Sequence, residues 1–249
     1  MENKERIVKK VDELRDILVW LGDEIHRNPE PGNKEFKAVE LLTDQLAKKG
    51  FTVERGICGL PTAFKAVYRG KGEGPTVAFL AEYDALVGMG HACGHNLIGP
   101  ISIGAAIALR EVMDDIAGSI VVFGTPAEET DGAKVMMSEK GVFDSVDAAM
   151  MVHPSDKNSV LSSSLAMDAI EFVYTGKAAH AAAVPHEGIN ALDAVIILFN
   201  SINALRQQLE DDVRIHGIIS EGGVAPNIIP ERAVARFYIR AAERLYVDE

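Results

Sequence analysis

The chain has 249 residues, of which 47% are hydrophobic, and a net charge of −12. This length allows one large domain or two small ones, and the acidic charge argues against nucleic-acid binding, which requires clustered Lys and Arg. Two cysteines in so long a chain do not make a disulfide framework. The first residues lack the apolar core of a signal peptide, and no apolar run reaches membrane-spanning length. The sequence therefore predicts a cytoplasmic protein without a membrane partner.

Helices and strands alternate through the first part of the chain. Apolar residues at helical spacing predict a helix over residues 7–25, with Val8 and Val11 in its buried stripe. A second helix over residues 34–49 would bury Phe36. Further elements are strands at residues 51–53, 63–68, 76–81, 119–123 and 147–152 and helices at residues 98–112 and 132–140. Such alternation indicates an α/β sheet with helices on both faces.

The pattern changes after residue 164. A strand, a long amphipathic helix and two further strands are predicted at residues 168–175, 190–209, 213–220 and 233–239. This β-α-β-β order predicts a small sheet with a helix on one face, which is an α+β domain. We place the boundary near residues 162–165, where consecutive serines interrupt the apolar pattern. The predicted domains are then residues 1–163 and 164–249.

Candidate metal ligands follow three of the predicted strands. Glu82 and Asp84 come directly after the strand at 76–81, and one loop further on come Cys93 and His95. The other two strands are followed by Glu128, Glu129 and His153. Ligands of α/β sheets bind beyond the carboxyl ends of the strands. Carboxylates, thiolates and imidazoles are the groups that bind transition metals, so the sequence predicts a metal site at this edge.

Three other interpretations of these residues are open. Cys93, flanked by His91 and His95, could be the nucleophile of a Cys–His hydrolase, although such a thiolate usually lies at a helix N-terminus with its His distant in sequence. A structural zinc site would contain more sulfur ligands and a closed tetrahedral set. The third interpretation is a surface loop with scattered polar residues.

A series of motifs runs along almost the whole chain. They are His26-Arg-Asn-Pro-Glu30, Ala81-Glu-Tyr-Asp-Ala-Leu86, Gly90-His-Ala-Cys-Gly-His-Asn96, Thr125-Pro-Ala-Glu-Glu129, Met151-Val-His-Pro154, Ala179-His-Ala-Ala-Ala-Val-Pro-His-Glu-Gly188 and Asn227-Ile-Ile-Pro230. Together they resemble the M20 family of metallopeptidases and amidohydrolases, in particular the branch with p-aminobenzoyl-glutamate hydrolase subunits and related dipeptidases. The His-Ala-Cys-Gly-His motif followed by Pro-Ala-Glu-Glu is the most specific combination.

The resemblance implies a fold and an activity. The fold is a catalytic α/β domain, with a mixed sheet flanked by helices, into which a small α+β lid domain is inserted. The lid commonly forms a homodimer. The activity is hydrolysis of an amide bond in an N-acyl amino acid, an aminobenzoyl-glutamate-like compound or a dipeptide. Two divalent metal ions per subunit are implied, and zinc, manganese and cobalt all accept such mixed ligands.

The resemblance also assigns roles at the metal site. The metal ligands that it implies are Cys93, His95, Glu129 and His153. Glu128 matches the general base, which would take a proton from the attacking water and deliver it to the leaving amine. Asp84 matches the carboxylate that orients a ligand imidazole. Glu82 occupies the position of a metal-binding His in other branches of the family, so its role stays open.

The implied lid domain contributes further site residues. His180 matches a lid histidine that reaches an active site, often that of the partner subunit, where it would stabilise the developing oxyanion. Asn227 and Arg240 are the candidate substrate-binding residues.

The end of the chain departs from the family pattern. In the family the chain returns from the lid to the catalytic domain and supplies a last metal-binding His. This chain stops at residue 249, so we expect a C-terminal part to be lacking and residues 1–249 to bind metal weakly and hydrolyse amides poorly by themselves. The alternative is a catalytically inactive binding or dimerisation module of the same family.

Overall fold

The computed structural model describes residues 2–160 and 163–249. The chain divides into two compact units, Met1–Asn158 and Ser159–Glu249. The predicted boundary at residues 162–165 begins at residue 162, which lies outside the described residues, so it stays a prediction. Among the described helices none is both long and apolar enough to cross a membrane. The cytoplasmic location likewise stays a prediction.

The first unit has the predicted alternation of helices and strands. Its elements are α1 (Asn3–Arg27), α2 (Phe36–Lys48), β1 (Thr52–Arg55), β2 (Phe64–Arg69), β3 (Thr76–Ala81), α3 (His95–Arg110), β4 (Ser119–Gly124), α4 (Ala133–Glu139) and β5 (Ala148–Met150). The strands form one sheet in the order β1-β2-β4-β3-β5. β2 is antiparallel to β1 and β4, whereas β3 is parallel to β4 and β5. The sheet is therefore mixed, and the predicted α/β class is confirmed.

Alternate residues of β4 contribute to two hydrophobic cores. Val122 packs in the core that contains α1, α2 and α3, with Leu42 of α2 and Ile103 of α3 also fully buried. Phe123 faces the second core, in which Met137 of α4 is fully buried. Complete burial of side chains of this size contributes about 1.5–3 kcal/mol each. β4 is covered on both faces, as its continuous apolar run predicts.

Three predicted core residues are exposed in the first unit. Val8 and Val11 of α1 are 55% and 43% exposed, and Phe36 of α2 is 58% exposed. At about 100° per residue, Val8 lies about 120° around α1 from the buried Leu14, so it falls outside the stripe that contacts α3. Phe36 is the first residue of α2 and lies beside its buried face. The strand predicted at 147–152 is also shorter and exposed, because only Ala148–Met150 pairs with β3.

The second unit is a small α+β domain, as predicted. Its elements are β6 (Ala166–Thr175), α5 (Ala191–Leu205), β7 (Arg214–Glu221), β8 (Arg232–Ala241) and α6 (Arg244–Asp248). The strands form an antiparallel sheet in the order β6-β8-β7. Asn190 caps α5 by accepting hydrogen bonds from the Leu192 and Asp193 N–H groups. α5 covers one face of the sheet, where Val195 and Phe237 are buried.

Candidate metal centre

The predicted ligand segments meet at one edge of the sheet in the first unit. β3 runs parallel to β4 and to β5, so these three strands end on the same side. Glu82 directly follows β3, and Glu128 and Glu129 follow β4. The loop after β3 leads into α3, whose first residue is His95, and His153 follows β5. This is the edge at which α/β sheets bind their ligands.

His95 lies at the centre of the cluster. Its side chain is fully buried, and Nδ1 lies 2.9 Å from Asp84 Oδ1. Because the carboxylate accepts the Nδ1 proton, the lone pair of the neutral imidazole is on Nε2. Nε2 has no hydrogen-bond partner among the described residues. It lies 3.4 Å from Glu82 Oε2 and 3.8 Å from both Glu128 Oε2 and Glu129 Oε1.

Cys93 and His153 form the second part of the cluster. The Cys93 Sγ lies 3.5 Å from His153 Nε2, and His153 Nδ1 lies 2.8 Å from the carbonyl oxygen of Pro154. A carbonyl can only accept, so Nδ1 carries the proton and Nε2 presents its lone pair beside the thiol. Gly94 allows this approach: its φ is +84°, and an added Cβ would lie 2.9 Å from Pro154 Cγ.

These side chains fit a bound divalent metal. The ligand atoms of Cys93, His95 and His153 lie within 4.8 Å of one another, and so do those of His95, Glu128 and Glu129. Metal–ligand distances of about 2.0–2.3 Å place the ligand atoms of one ion roughly 3–4 Å apart. The buried Nε2 of His95 and Oε2 of Glu82 both lack a partner within the described ranges, which a cation at this position would supply. One sulfur among nitrogen and oxygen donors differs from a sulfur-rich structural zinc site.

The charges of the cluster also favour a cation. Burial and the nearby carboxylates of Glu129, Glu128 and Glu82 raise the pKa of the Cys93 thiol to about 12. A thiol with this pKa is protonated near neutral pH, which argues against a free thiolate nucleophile. Burial and the charge of Glu82 raise the pKa of Glu128 above its usual value.

Asp84 and His95 stabilise each other's charged forms. Burial acts to raise the pKa of Asp84, but hydrogen bonds from His95 and from the Glu129 N–H outweigh it and hold this pKa below its usual value. Burial acts to lower the pKa of His95, and the bond to Asp84 with the neighbouring carboxylates raises it instead. Asp84 therefore fixes both the orientation of His95 and the backbone of Glu129.

Three backbone contacts hold the loop that contains Glu128. The Thr125 N–H donates to the carbonyl of Ala81, and the Glu129 N–H donates to Asp84 Oδ2 at 3.0 Å. Between them, the Ala127 N–H donates to Oε1 of the buried Glu35 at 2.8 Å. Ala127 has a φ of +55°, a left-handed conformation that costs a non-glycine residue about 1–2 kcal/mol. These contacts compensate for that strain.

The sequence did not single out Glu35 or Lys134 as site residues. Glu35 is fully buried just before α2, although its polar, charged surroundings in the sequence suggest an exposed turn. Lys134, in the first turn of α4, forms an ion pair with Oε1 of the buried Glu82. Nothing in the sequence around Lys134 distinguishes it from a lysine on the protein surface. The only signal was indirect, because a buried Glu82 requires a cationic partner.

Replacing Lys134 by Met is expected to destabilise the chain by about 3 kcal/mol, because it leaves the Glu82 carboxylate buried without its cation. Lys140→Met is the matched control, since Lys140 is exposed and its Nζ donates to the carbonyl of Cys58 and forms no ion pair among the described residues. Urea unfolding of both variants measures the difference. The double variant Glu82→Gln/Lys134→Met should regain most of the loss. A Lys134 effect as small as the Lys140 effect would contradict the pair's importance.

In the second unit, the structure brings His180 and Asn227 together. Their segments are joined by hydrogen bonds from the Ala181 N–H to the Asn227 carbonyl and from the Ile229 N–H to the Ala179 carbonyl. His180 is exposed, and its Nδ1 accepts from the Ala182 and Ala183 N–H groups at 3.3 and 3.2 Å. The proton of the neutral ring is therefore on Nε2, which faces away from these contacts as a donor.

Arg240 lies apart from His180 and Asn227. The Asn227 loop leads into the start of β8, whereas Arg240 is near the end of this strand, beside Tyr238. At about 3.4 Å per residue, the two ends of β8 are separated by roughly 25–30 Å. Within this unit the structure does not bring Arg240 to the other candidates, and its role in substrate binding stays a prediction.

Sequence matches to known proteins cover both units of the chain. A family model described as a peptidase dimerisation domain (M20_dimer) matches residues 167–248. The chain is 41% identical to Xaa-Arg dipeptidase of Mus musculus over 251 residues, covering 96% of this chain and 58% of the dipeptidase. It is 32% identical to thermostable carboxypeptidase 2 of Saccharolobus solfataricus, covering 98% of this chain and 68% of that relative.

Solved structures share the fold. A crystal structure of a Bacillus subtilis protein, described as a dinuclear metal binding peptidase from the M20 family, matches with a TM-score of 0.69 and 21% identity. The match covers 94% of this chain and 66% of that chain. The chain spans less than two thirds of the length of the first of these relatives, with 58% of the mouse dipeptidase.

Proposed function

This chain belongs to the M20 family of metallopeptidases, and we propose that it carries the metal centre of an enzyme that hydrolyses an amide bond in a small substrate. The substrate class is an N-acyl amino acid, an aminobenzoyl-glutamate-like compound or a dipeptide. The Xaa-Arg dipeptidase similarity favours the dipeptide. The observation that carries the proposal is the buried, unpartnered Nε2 of His95, which lies 3.8 Å from both Glu128 and Glu129 in the part of the chain that the structure describes.

We assign four residues as those that would hold two divalent ions: Cys93, His95, Glu129 and His153. Zinc and manganese are our first choices, with cobalt as the third. A bound divalent metal lowers the pKa of water and polarises the amide carbonyl. The description of the Bacillus subtilis structure as dinuclear supports the number of ions.

Glu128 is the proposed general base. Its side chain is 43% exposed, so it can reach a substrate, whereas Glu129 beside it is held by the contact of its N–H with Asp84. Burial and the charge of Glu82 raise the pKa of Glu128, which makes it a stronger base than an isolated carboxylate. Glu128 would take the proton of the attacking water and pass it to the nitrogen of the leaving amine.

His180 is the proposed oxyanion donor. The two backbone N–H groups that bind its Nδ1 leave Nε2–H free to donate to the carbonyl oxygen as negative charge develops. Asn227, whose loop pairs with the His180 segment, is the proposed substrate-binding residue beside it.

We further propose a homodimer formed through the second unit. The match to a peptidase dimerisation domain covers residues 167–248, which is almost all of this unit. β7 is an edge strand, and its Ile218 and Ile219 are 64% and 43% exposed. An unprotected apolar edge of this kind pairs readily with a second copy, and a self-complementary edge gives a two-fold dimer.

The proposed function is tested by metal analysis combined with a panel of N-acyl amino acids, aminobenzoyl-glutamate and dipeptides. At saturating metal concentration we expect two metal ions per chain and metal-dependent hydrolysis of at least one class, which is slow where residues 1–249 act by themselves. A chain that binds metal without hydrolysing any substrate would instead support a catalytically inactive binding module. A chain that binds no metal would overturn the proposal.

Metal binding is expected to release about one to two protons per chain near neutral pH. Cys93, with its pKa of about 12, must lose its proton to act as a thiolate ligand. His95, whose raised pKa favours the charged form, must also bind as the neutral imidazole. Apparent affinity should therefore rise with pH. Calorimetric titration in buffers of different ionisation enthalpy counts the protons, and Cys93→Ser should release fewer. A heat of binding that is independent of the buffer would contradict this assignment.

A further inference from the structure

Glu35 connects two segments that are far apart in the sequence. Its side chain is fully buried, and Oε1 accepts the hydrogen bond from the Ala127 N–H at 2.8 Å. Its Oε2 is buried too; burial raises the pKa of this carboxyl above its usual value, and the Thr62 hydroxyl with the backbone N–H groups of Glu35, Ala127 and Asn33 offsets part of this by favouring the charged form. A buried carboxylate is costly to fold, so its position requires an explanation.

Ala127 needs an external partner to keep its conformation. With a φ of +55°, it adopts a left-handed conformation that a residue with a Cβ rarely adopts. Its carbonyl is used within the turn, where it accepts from the N–H groups of Thr130 and Gly132. Its N–H is bound by Glu35 alone among the contacts that the structure describes. Glu35 therefore supplies the outside contact that fixes this residue.

Glu128 lies between two residues that are held from outside the loop. Ala127 on one side is held by Glu35, and Glu129 on the other is held by Asp84 Oδ2 at 3.0 Å. Loss of the Glu35 contact would leave the Ala127 side of the loop with the turn's own hydrogen bonds and free this side to rotate. Both the Glu128 side chain and the Glu129 ligand atom would then move.

We propose that Glu35 is a positioning residue, which fixes the left-handed Ala127 and thereby the positions of Glu128 and Glu129. The inference depends on the proposed function only for the roles of Glu128 as general base and Glu129 as metal ligand. Glu35 itself lies behind the loop and touches its backbone, so it acts through Ala127. The group that makes this contact is Oε1 of Glu35, which accepts the hydrogen bond from the Ala127 N–H.

The first test is Mn²⁺ titration of the chain and its variants. Glu35→Leu has a similar shape but no acceptor, and we expect it to weaken Mn²⁺ binding about 10- to 100-fold through the displaced Glu129. Glu35→Gln keeps an acceptor oxygen and should remain near the wild-type affinity. Thr43→Val is the matched control for a buried polar change, since the Thr43 hydroxyl donates to carbonyls of its own helix, α2. Equal affinity of wild type and Glu35→Leu would overturn the proposal.

A rescue experiment separates positioning from packing. Glycine adopts a left-handed conformation without steric cost, so Ala127→Gly should restore most of the affinity that Glu35→Leu loses. A general packing defect would not be repaired by this change. Failure of the rescue in a folded double variant would therefore overturn the proposal.

A second route disturbs the loop without touching Glu35. A Cβ at Gly32 would overlap Thr130 Oγ1 and lie 2.9 Å from Ala127 Cα. Gly32→Ala should therefore weaken Mn²⁺ binding as Glu35→Leu does, and it keeps the proposal testable if Glu35→Leu does not fold. Unchanged binding in Gly32→Ala would count against the proposal.

Hydrogen–deuterium exchange distinguishes failure of this inference from failure of the proposed function. In the metal-free chain, Glu35→Leu or Gly32→Ala should speed exchange in residues 125–132 and leave α3 unchanged. If the wild type binds no Mn²⁺, the proposed function fails, and faster exchange at 125–132 still supports the role of Glu35. Unchanged exchange at 125–132 in both variants overturns the inference, whatever the metal result.

Discussion

Glu128→Gln is expected to remove most hydrolysis, about 10²- to 10⁴-fold in kcat, while leaving the fold and the metal content nearly unchanged. The amide cannot take a proton from the attacking water, but it has almost the same shape as the carboxylate. Glu128 is 43% exposed, so the substitution should change the stability of the fold little. Turnover, metal content and unfolding midpoint measured on one preparation test this expectation.

Glu129→Gln is the matched control, because it makes the same chemical change at the adjacent residue. Glu129 is the proposed ligand, and its N–H is fixed by Asp84, so an amide side chain should lower metal occupancy as well as turnover. Near wild-type turnover in Glu128→Gln would show that Glu128 is not the general base. Equal metal content in the two variants would reject the division of roles between them.

The sequence predicted the edge of the sheet that carries the site because its signals are local. The apolar run at 119–123 is buried on both faces of β4, and the strand at 76–81 has its predicted bounds. Parallel strands must end on one side, so the polar residues that follow them were expected to meet. Asp84 and His95 do meet, at 2.9 Å.

Other parts of the site depend on contacts that no local pattern records. Glu35 reaches Ala127, which is 92 residues away in sequence, and Lys134 reaches Glu82 across 52 residues. Both are charged residues in polar surroundings, a context that ordinarily indicates solvent exposure. The prediction that Val8 and Phe36 are buried was wrong in the opposite sense, because both are exposed. An apolar residue beside the buried stripe of a helix is easily counted as part of that stripe. Tertiary packing decides such cases.

His180→Ala is expected to lower kcat about 10²- to 10³-fold, as loss of one oxyanion donor does, with metal content unchanged. The backbone N–H groups of Ala182 and Ala183 fix the ring so that Nε2–H is the donor. His186→Ala is the matched control, because His186 is an exposed residue of the same segment. A loss of the same size in both variants would indicate a damaged loop instead of a missing donor.

Mixing subunits then tests whether His180 acts across the proposed dimer. After exchange of equal amounts of His180→Ala and Glu128→Gln subunits, about half of the dimers contain one of each. If each site takes Glu128 from one subunit and His180 from the other, a mixed dimer has one complete site and one that lacks both groups. The mixture should then regain about a quarter of wild-type activity by this arithmetic. If both groups come from one subunit, every site lacks one of them and no activity returns. Mass analysis must show the mixed dimer, because only then does missing activity reject the shared site.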